Sequence, residues 1–196
     1  ELRGLLEQHP QLAAAEGEAA ASALGDDRSG RFPTARHRVP MQGLEKSYTE
    51  AELRKFLARV ERLAGEPVTW VVEPKYDGLA ISLTYVHGRL VRAVTRGNGS
   101  EGDDVTANLL ACTDVPRELP ATPDFPRPDF IEVRGEVFMA LAEFERVNAM
   151  RRAAGEEVFA HPRNLAVGTL KATDPAVLRS RRLTLVCYGW GGCLDY

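Results

Sequence analysis

Lys75-Tyr76-Asp77-Gly78 is the tetrapeptide whose residue types carry the most chemistry. The chain holds only four lysines (Lys46, Lys55, Lys75 and Lys171) against 21 arginines. A lysine that is partly desolvated, or set near other cations, has a useful neutral fraction near pH 7 and can attack an electrophile. Arginine stays charged and instead grips phosphate or carboxylate through two parallel hydrogen bonds. Asp77 adds a carboxylate two residues on, and Gly78 would let the backbone turn and a ligand approach closely. The other reading is an exposed turn with a solvated lysine. With residue frequencies of about 5–7% each, K-x-D-G alone is expected in roughly one chain in twenty.

Four further groups merit a place beside it. Arg96-Gly97-Asn98-Gly99-Ser100-Glu101-Gly102-Asp103-Asp104 is glycine-rich and could cradle phosphates with backbone N–H groups. It fits neither the Walker pattern nor GxGxxG, and a flexible hairpin would have the same composition. Glu132, Arg134 and Glu136 alternate, so they share one face of a strand and need solvent, one another or a polar ligand. Phe159-Ala160-His161-Pro162-Arg163-Asn164 and Lys171 add cations to a possible anion site; His161 itself reads as a loop residue. Tyr188, two residues before Trp190, could stack on a base or simply pack in a core.

These residues must be positioned by regular elements. The spacing predicts a helix over 49–64, with a capping box at Thr49 and Glu52, a stripe of Leu53, Phe56, Leu57, Val60 and Leu63, and a stop at Gly65. Val68–Val72 is β-branched and aromatic and predicts a strand leading into Lys75. LAISLTYV and RLVRAVTR predict a hairpin around His87-Gly88, and a helix is expected from about Asp104. Four prolines make RELPATPDFPRPDF a loop. FIEVRGEVFM reads as a strand, 141–153 as a helix stopped by Gly155, HPRNLAVGTLKATDP as a loop with a short helix, and RLTLVCYGW as a final strand. Hairpin-linked strands with interspersed helices predict an α+β fold with mostly antiparallel sheet. Residues 2–12 read as a short helix and the Ala-rich stretch after it as a linker. The composition shifts near Arg31, which divides the chain into 1–30 and 31–196.

The 196 residues are 44% hydrophobic and 27% charged. This excludes collagen-like, mucin-like and wholly disordered classes. A net charge of −3 gives no support to a protein that coats nucleic acid. No apolar run reaches the ~20 residues that span a bilayer, and the start shows no signal-peptide pattern. The chain begins at Glu1, as a piece of a longer protein would. Cys112, Cys187 and Cys193 form no CxxC pair, which suits a reducing cytoplasm better than a zinc site or a disulfide framework.

The order of these motifs is more specific than any one of them. KYDG, then TRGNGSEGDDVTANL, EVRGEVFM, FAHPRNLAVGTLKATDP and LTLVCYGWG, preceded by HRVPMQGLEKSY, resembles the adenylation domain of bacterial NAD-dependent DNA ligase over about residues 31–192. The resemblance implies an incomplete nucleotidyltransferase fold. It implies that Lys75 attacks the α-phosphorus of NAD and carries AMP as a phosphoramidate, with Asp77 as the acid of the same motif. Glu73 and Leu44 match adenine-side positions, Glu136 the acid that holds the ribose hydroxyls, and Tyr188 the aromatic that stacks on adenine. Arg96 and Arg163 match cations near the phosphates or DNA, and Lys171 stands where the family has an arginine of that kind. NAD and Mg²⁺ are the implied cofactors, the metal's ligands being open. A monomer sealing nicked double-stranded DNA in the complete enzyme is the implied assembly. Asn98, Asp103, His161 and Gln42-Gly43 depart from the family pattern. A preceding nicotinamide-binding module and the late lysine motifs are expected outside this chain, so the chain alone is expected not to ligate. Two other readings remain at this point: an ATP-dependent polynucleotide ligase or capping-type enzyme, and a catalytically silent nucleotide- or DNA-binding module.

Overall fold

A computed structural model describes residues 26–41, 43, 46–121 and 126–194. The helix expected over 2–12, most of the linker after it, Gln42 and Leu44 lie outside the described residues. The chain divides into two compact units, one formed by residues up to Met41 together with those from Asp77 onward, the other by Gln42–Tyr76.

The larger unit is built on a four-stranded antiparallel sheet in the order Arg89–Thr95, Leu79–Val86, Phe130–Phe138, Thr184–Leu194. The strands are β2 (Leu79–Val86), β3 (Arg89–Thr95), β5 (Phe130–Phe138) and β6 (Thr184–Leu194). A second, two-stranded pair joins β1 (Thr34–Arg36) to β4 (Glu101–Asp103). β2 turns into β3 at His87-Gly88, as expected. Both residues have positive φ, 47° and 76°, the conformation of a two-residue hairpin turn whose twist matches the strands.

Leu79, Ile81, Leu83 and Tyr85 are buried along one face of β2. They join Ala93, Val105, Leu109, Val137, Phe144, Val147, Leu165, Leu170 and Leu178 in the core. The helices supplying that core are α2 (Thr106–Cys112), α3 (Leu141–Ala153), α4 (Pro162–Leu170) and α5 (Pro175–Ser180). α3 has the expected bounds, followed by Gly155 with φ 71°. α2 begins two residues after Asp104, whose carboxylate accepts from the Thr106 backbone N–H at 3.1 Å and so acts from outside the helix. Because the helix core covers one face of β2, the opposite face carries Ala80, Ser82 and Thr84. These pair in unbroken register with Glu136, Arg134 and Glu132 of β5. The polar triplet therefore lies on the face away from the helices.

In the smaller unit, α1 (Glu50–Ala64) is the predicted helix. The Glu52 N–H donates to Thr49 Oγ1 at 3.2 Å and the Thr49 N–H donates to Glu52 Oε2 at 3.1 Å, which closes the capping box. Gly65 ends the helix at φ 74°. The strand expected over Val68–Val72 does not form: residues 67–77 carry no strand. Val71 and Val72 are exposed and find no ladder partner among the described residues. A β-branched composition favours a pleated surface only where one exists to join. The Lys75 motif thus precedes strand β2 rather than following a strand.

Leu83 is 1% exposed at the centre of the sheet. Leu83→Ala is expected to cost about 2–5 kcal/mol, and Thr49→Ala, at an exposed cap, about 1 kcal/mol. Urea unfolding of the two variants checks the ranking.

Candidate active site

Gly78 joins the motif to the sheet. Its N–H donates to Glu136 Oε1 at 3.2 Å. A Cβ at this position would collide with the Val137 carbonyl oxygen, so only glycine lets the chain enter β2 this close to β5. The sequence reading anticipated a close approach here, but of a ligand; the neighbour is a strand.

Asp77 stays exposed, and Arg163 Nη1 donates to its Oδ1 at 2.7 Å. Arg163 sits on the first turn of α4, just after Pro162, which suits the helix start because its missing N–H needs no partner there. The pair lies in solvent, so it orients the two groups more than it stabilises the fold.

Tyr188 occupies an irregularity in the β5–β6 ladder. Arg134 pairs with Gly189 and Gly135 with Cys187, which leaves Tyr188 as the extra residue of a bulge. A bulge re-aims its side chain and twists its strand. Burial pushes the phenol pKa up; the Glu136 carboxylate raises it further, while Arg134 and Arg96 pull it down. That balance puts the phenol within electrostatic reach of all three. Arg96 follows β3, and its N–H donates to the Ala80 carbonyl at 3.0 Å, next to the residue pair Ala80 and Glu136. Glu136 is thus tied to Gly78, the Arg96 backbone to the strand residue paired with Glu136, and the Tyr188 phenol feels the charges of both.

The other charged residues of β5, Glu132 and Arg134, do different work. Glu132 is buried, and its Oε1 accepts from the Arg38 N–H at 3.3 Å; Arg134 Nη2 donates to the Val39 carbonyl at 2.7 Å. They hold the segment before Met41 against the sheet. The glycine-rich loop is also ordered by its own atoms. Asn98 Oδ1 accepts from the N–H groups of Ser100 and Glu101, each at 3.0 Å, and Asn98 and Gly99 donate to Glu101 and Arg96 carbonyls. With these N–H groups already bonded, the loop is a closed hairpin and not a backbone cradle for phosphate. Glu73 and Lys75 are exposed and belong to the smaller unit. Lys171 is apart from the site: it is 6% exposed and paired with Asp27 and Asp103.

The family profile described as NAD-dependent DNA ligase adenylation domain matches residues 29–195. The chain belongs to this family. DNA ligase 1 of Opitutus terrae is 48% identical over 192 residues, which is 97% of this chain and 28% of that protein. DNA ligase 2 of the same organism is 53% identical over 170 residues, or 86% of this chain and 24% of that protein. The DNA ligase of Stenotrophomonas maltophilia is 45% identical over 192 residues, 97% of this chain and 23% of its own length. The chain thus spans about a quarter of the length of these relatives. The mixed architecture of helices and antiparallel sheet agrees with the nucleotidyltransferase-type fold that the family implies.

Within this adenylation-domain chain, sequence reasoning did not single out Arg134 as a holder of the Val39 backbone, or Asp27 as a partner of Lys171. Asp27 lies 144 positions from Lys171, and no local pattern carries such a pairing. Among the described residues no helix is long and apolar enough to cross a membrane, and no three His, Cys, Asp or Glu side chains converge on a common point.

The raised phenols give a testable pH dependence. Tyr85, whose hydroxyl donates to the Pro116 carbonyl at 2.9 Å, is pushed up to about 12 by burial. For both Tyr85 and Tyr188 the folded value exceeds the free value of about 10. Their contribution to stability is complete below that pH and is lost as pH rises through the folded values. Glu136→Gln removes a carboxylate that raises Tyr188, so its phenol should ionise at lower pH in an ultraviolet phenolate titration, while Tyr85 stays where it is.

Proposed function

We propose that this chain forms the adenine-side part of a DNA ligase active site that takes AMP from NAD. Neutral Lys75 Nζ attacks the α-phosphorus. An N–P bond forms, the bond to the bridging oxygen breaks, nicotinamide mononucleotide leaves with that oxygen, and the lysine sheds its proton to solvent. AMP then passes to a 5′-phosphate at a nick and departs when the 3′-hydroxyl attacks. The observation that carries this reading is that Glu136 bonds to Gly78 of the lysine motif while the Arg96 backbone bonds to Ala80, the strand partner of Glu136. An aromatic face, a carboxylate and a guanidinium are the three groups needed for a base, a ribose and a phosphate.

In this reading Tyr188 stacks on adenine and Glu136 accepts from the ribose hydroxyls. Arg96 and Arg163 face the phosphates, whose charge rises in the transition state. Asp77 orients Arg163 through their ion pair. Glu73 and Leu44 complete the adenine side by the family correspondence. Chain connectivity keeps the Lys75 Cα within about 7 Å of that of Asp77. The family also implies Mg²⁺. Such an ion is commonly held by one or two carboxylates together with substrate phosphates. Among the described residues no three His, Cys, Asp or Glu side chains form a cage; held with the substrate phosphates, the ion would stabilise their developing charge. Sealing is assigned to the longer protein, since the relatives named DNA ligase are about four times this length.

Incubation of the full-length protein with NAD labelled in its adenylate half is expected to leave label on the protein, and Lys75→Ala is expected to abolish it. Persistence of label in Lys75→Ala, or equal labelling from ATP, would overturn the proposal. Glu136→Ala should raise the KM for NAD by about 10- to 100-fold, the scale of one or two charge-assisted hydrogen bonds.

A further inference from the structure

Lys171 was expected to grip phosphate or DNA, yet its surroundings leave it nothing to grip with. Its ammonium has three N–H donors. The ammonium donates to Asp27 Oδ1 at 3.1 Å and to the Asp27 carbonyl oxygen, and forms an ion pair with Asp103 Oδ2 at 3.0 Å. The side chain is 6% exposed and Asp103 is fully buried. Thr95 ties the two acids together: its hydroxyl donates to Asp27 Oδ1 at 2.6 Å and accepts from the Asp103 N–H at 3.1 Å. Ser29 donates to Asp103 Oδ2 from both its backbone N–H, at 2.9 Å, and its hydroxyl, at 3.0 Å. Asn108 of α2 donates to the carbonyls of Leu170 and Ala172, on either side of Lys171, at 2.8 Å each. One ammonium thus serves a fully buried carboxylate, Asp103, and a partly buried one, Asp27, and among the described residues Asp103 Oδ1 has no hydrogen-bond partner. Removing the ammonium would leave the buried Asp103 carboxylate uncompensated beside that of Asp27.

We infer that Lys171 is a positioning residue: with Asp27 and Asp103 it forms a buried charge centre that locks the hairpin carrying Arg96 to the helix carrying Arg163. Thr95 immediately precedes Arg96, and Asp103 lies on the strand that closes the same hairpin. Lys171 caps the C-terminus of α4, and Arg163 occupies that helix's first turn. Asp27 and Ser29 add the entering segment to the same knot. The centre lies away from the reacting groups and acts through the two arginines. Its mechanistic meaning therefore rests on the proposed role of those arginines toward phosphate.

The test uses the full-length protein with Lys171→Met, Lys171→Arg and Asp103→Asn. Amide hydrogen exchange reads the positioning without reference to activity. In Lys171→Met, protection is expected to fall at least tenfold in residues 96–103 and 161–170 while β2 and β5 keep theirs. Asp103→Asn should give the same pattern more weakly, and Lys171→Arg, which keeps the charge, should restore it. The rate of adenylate transfer from NAD should fall at least tenfold in Lys171→Met and recover in Lys171→Arg. The salt dependence of nicked-DNA binding should keep its slope, because a buried and saturated cation releases no counterion. A slope lower by about one unit in Lys171→Met would show that it contacts phosphate and would overturn the inference. So would unchanged exchange in both segments, or a uniform loss that includes β2 and β5. If Lys171→Met does not fold, Asp103→Asn decides on the same readouts. If exchange responds as expected but the parent protein takes no label from NAD, the ligase reading fails and the positioning stands.

Discussion

The antiparallel pairing of β2 with β5 is the constraint on which the rest of the larger unit depends. It sets Ala80 against Glu136, Ser82 against Arg134 and Thr84 against Glu132, with no slip along the ladder. A shift of one residue would turn Leu79, Ile81, Leu83 and Tyr85 out of the core and the polar triplet into it. The burial of those four side chains thus determines where the carboxylate of Glu136 points, far more strongly than any interaction Glu136 makes itself. Gly78 depends on the same pairing, because its N–H reaches Glu136 only where the two strands lie this close.

From that frame the site is assembled at strand ends and irregularities. Tyr188 enters through a bulge on β6, Arg96 at the end of β3, and Arg163 on the first turn of a helix packed against β2 and β5. Regular elements carry the stability and their ends carry the polar groups, since an interrupted ladder frees a side chain to face a ligand. The glycine-rich loop follows a related logic with another outcome. Asn98 closes it from within, so the Ser100 and Glu101 N–H groups are bonded inside the loop.

Charge is used in two physically different ways. Asp77 and Arg163 meet in solvent, where the pair is weak. Lys171 is buried against two carboxylates, of which Asp103 is fully buried, so breaking the interaction would leave a buried charge uncompensated. A basic side chain paired with acids is thus exposed at one end of α4 and buried at the other.

Much of this was legible from the sequence alone. The alternation of LAISLTYV and FIEVRGEVFM, the turn at His87-Gly88, the cap at Thr49 and Glu52 and the bounds of α3 are local patterns. Backbone geometry turns such patterns into structure without reference to distant residues. The order of five motifs was likewise readable, and it led to the family that the comparison bears out. The tertiary structure alone decided the rest. Val68–Val72 has the composition of a strand but no neighbour to pair with among the described residues. Lys171 has the composition of a phosphate ligand, yet it is saturated by Asp27 and Asp103. A side chain's chemistry is local, but its solvent exposure and its partners are set by what the fold brings to it from far along the chain.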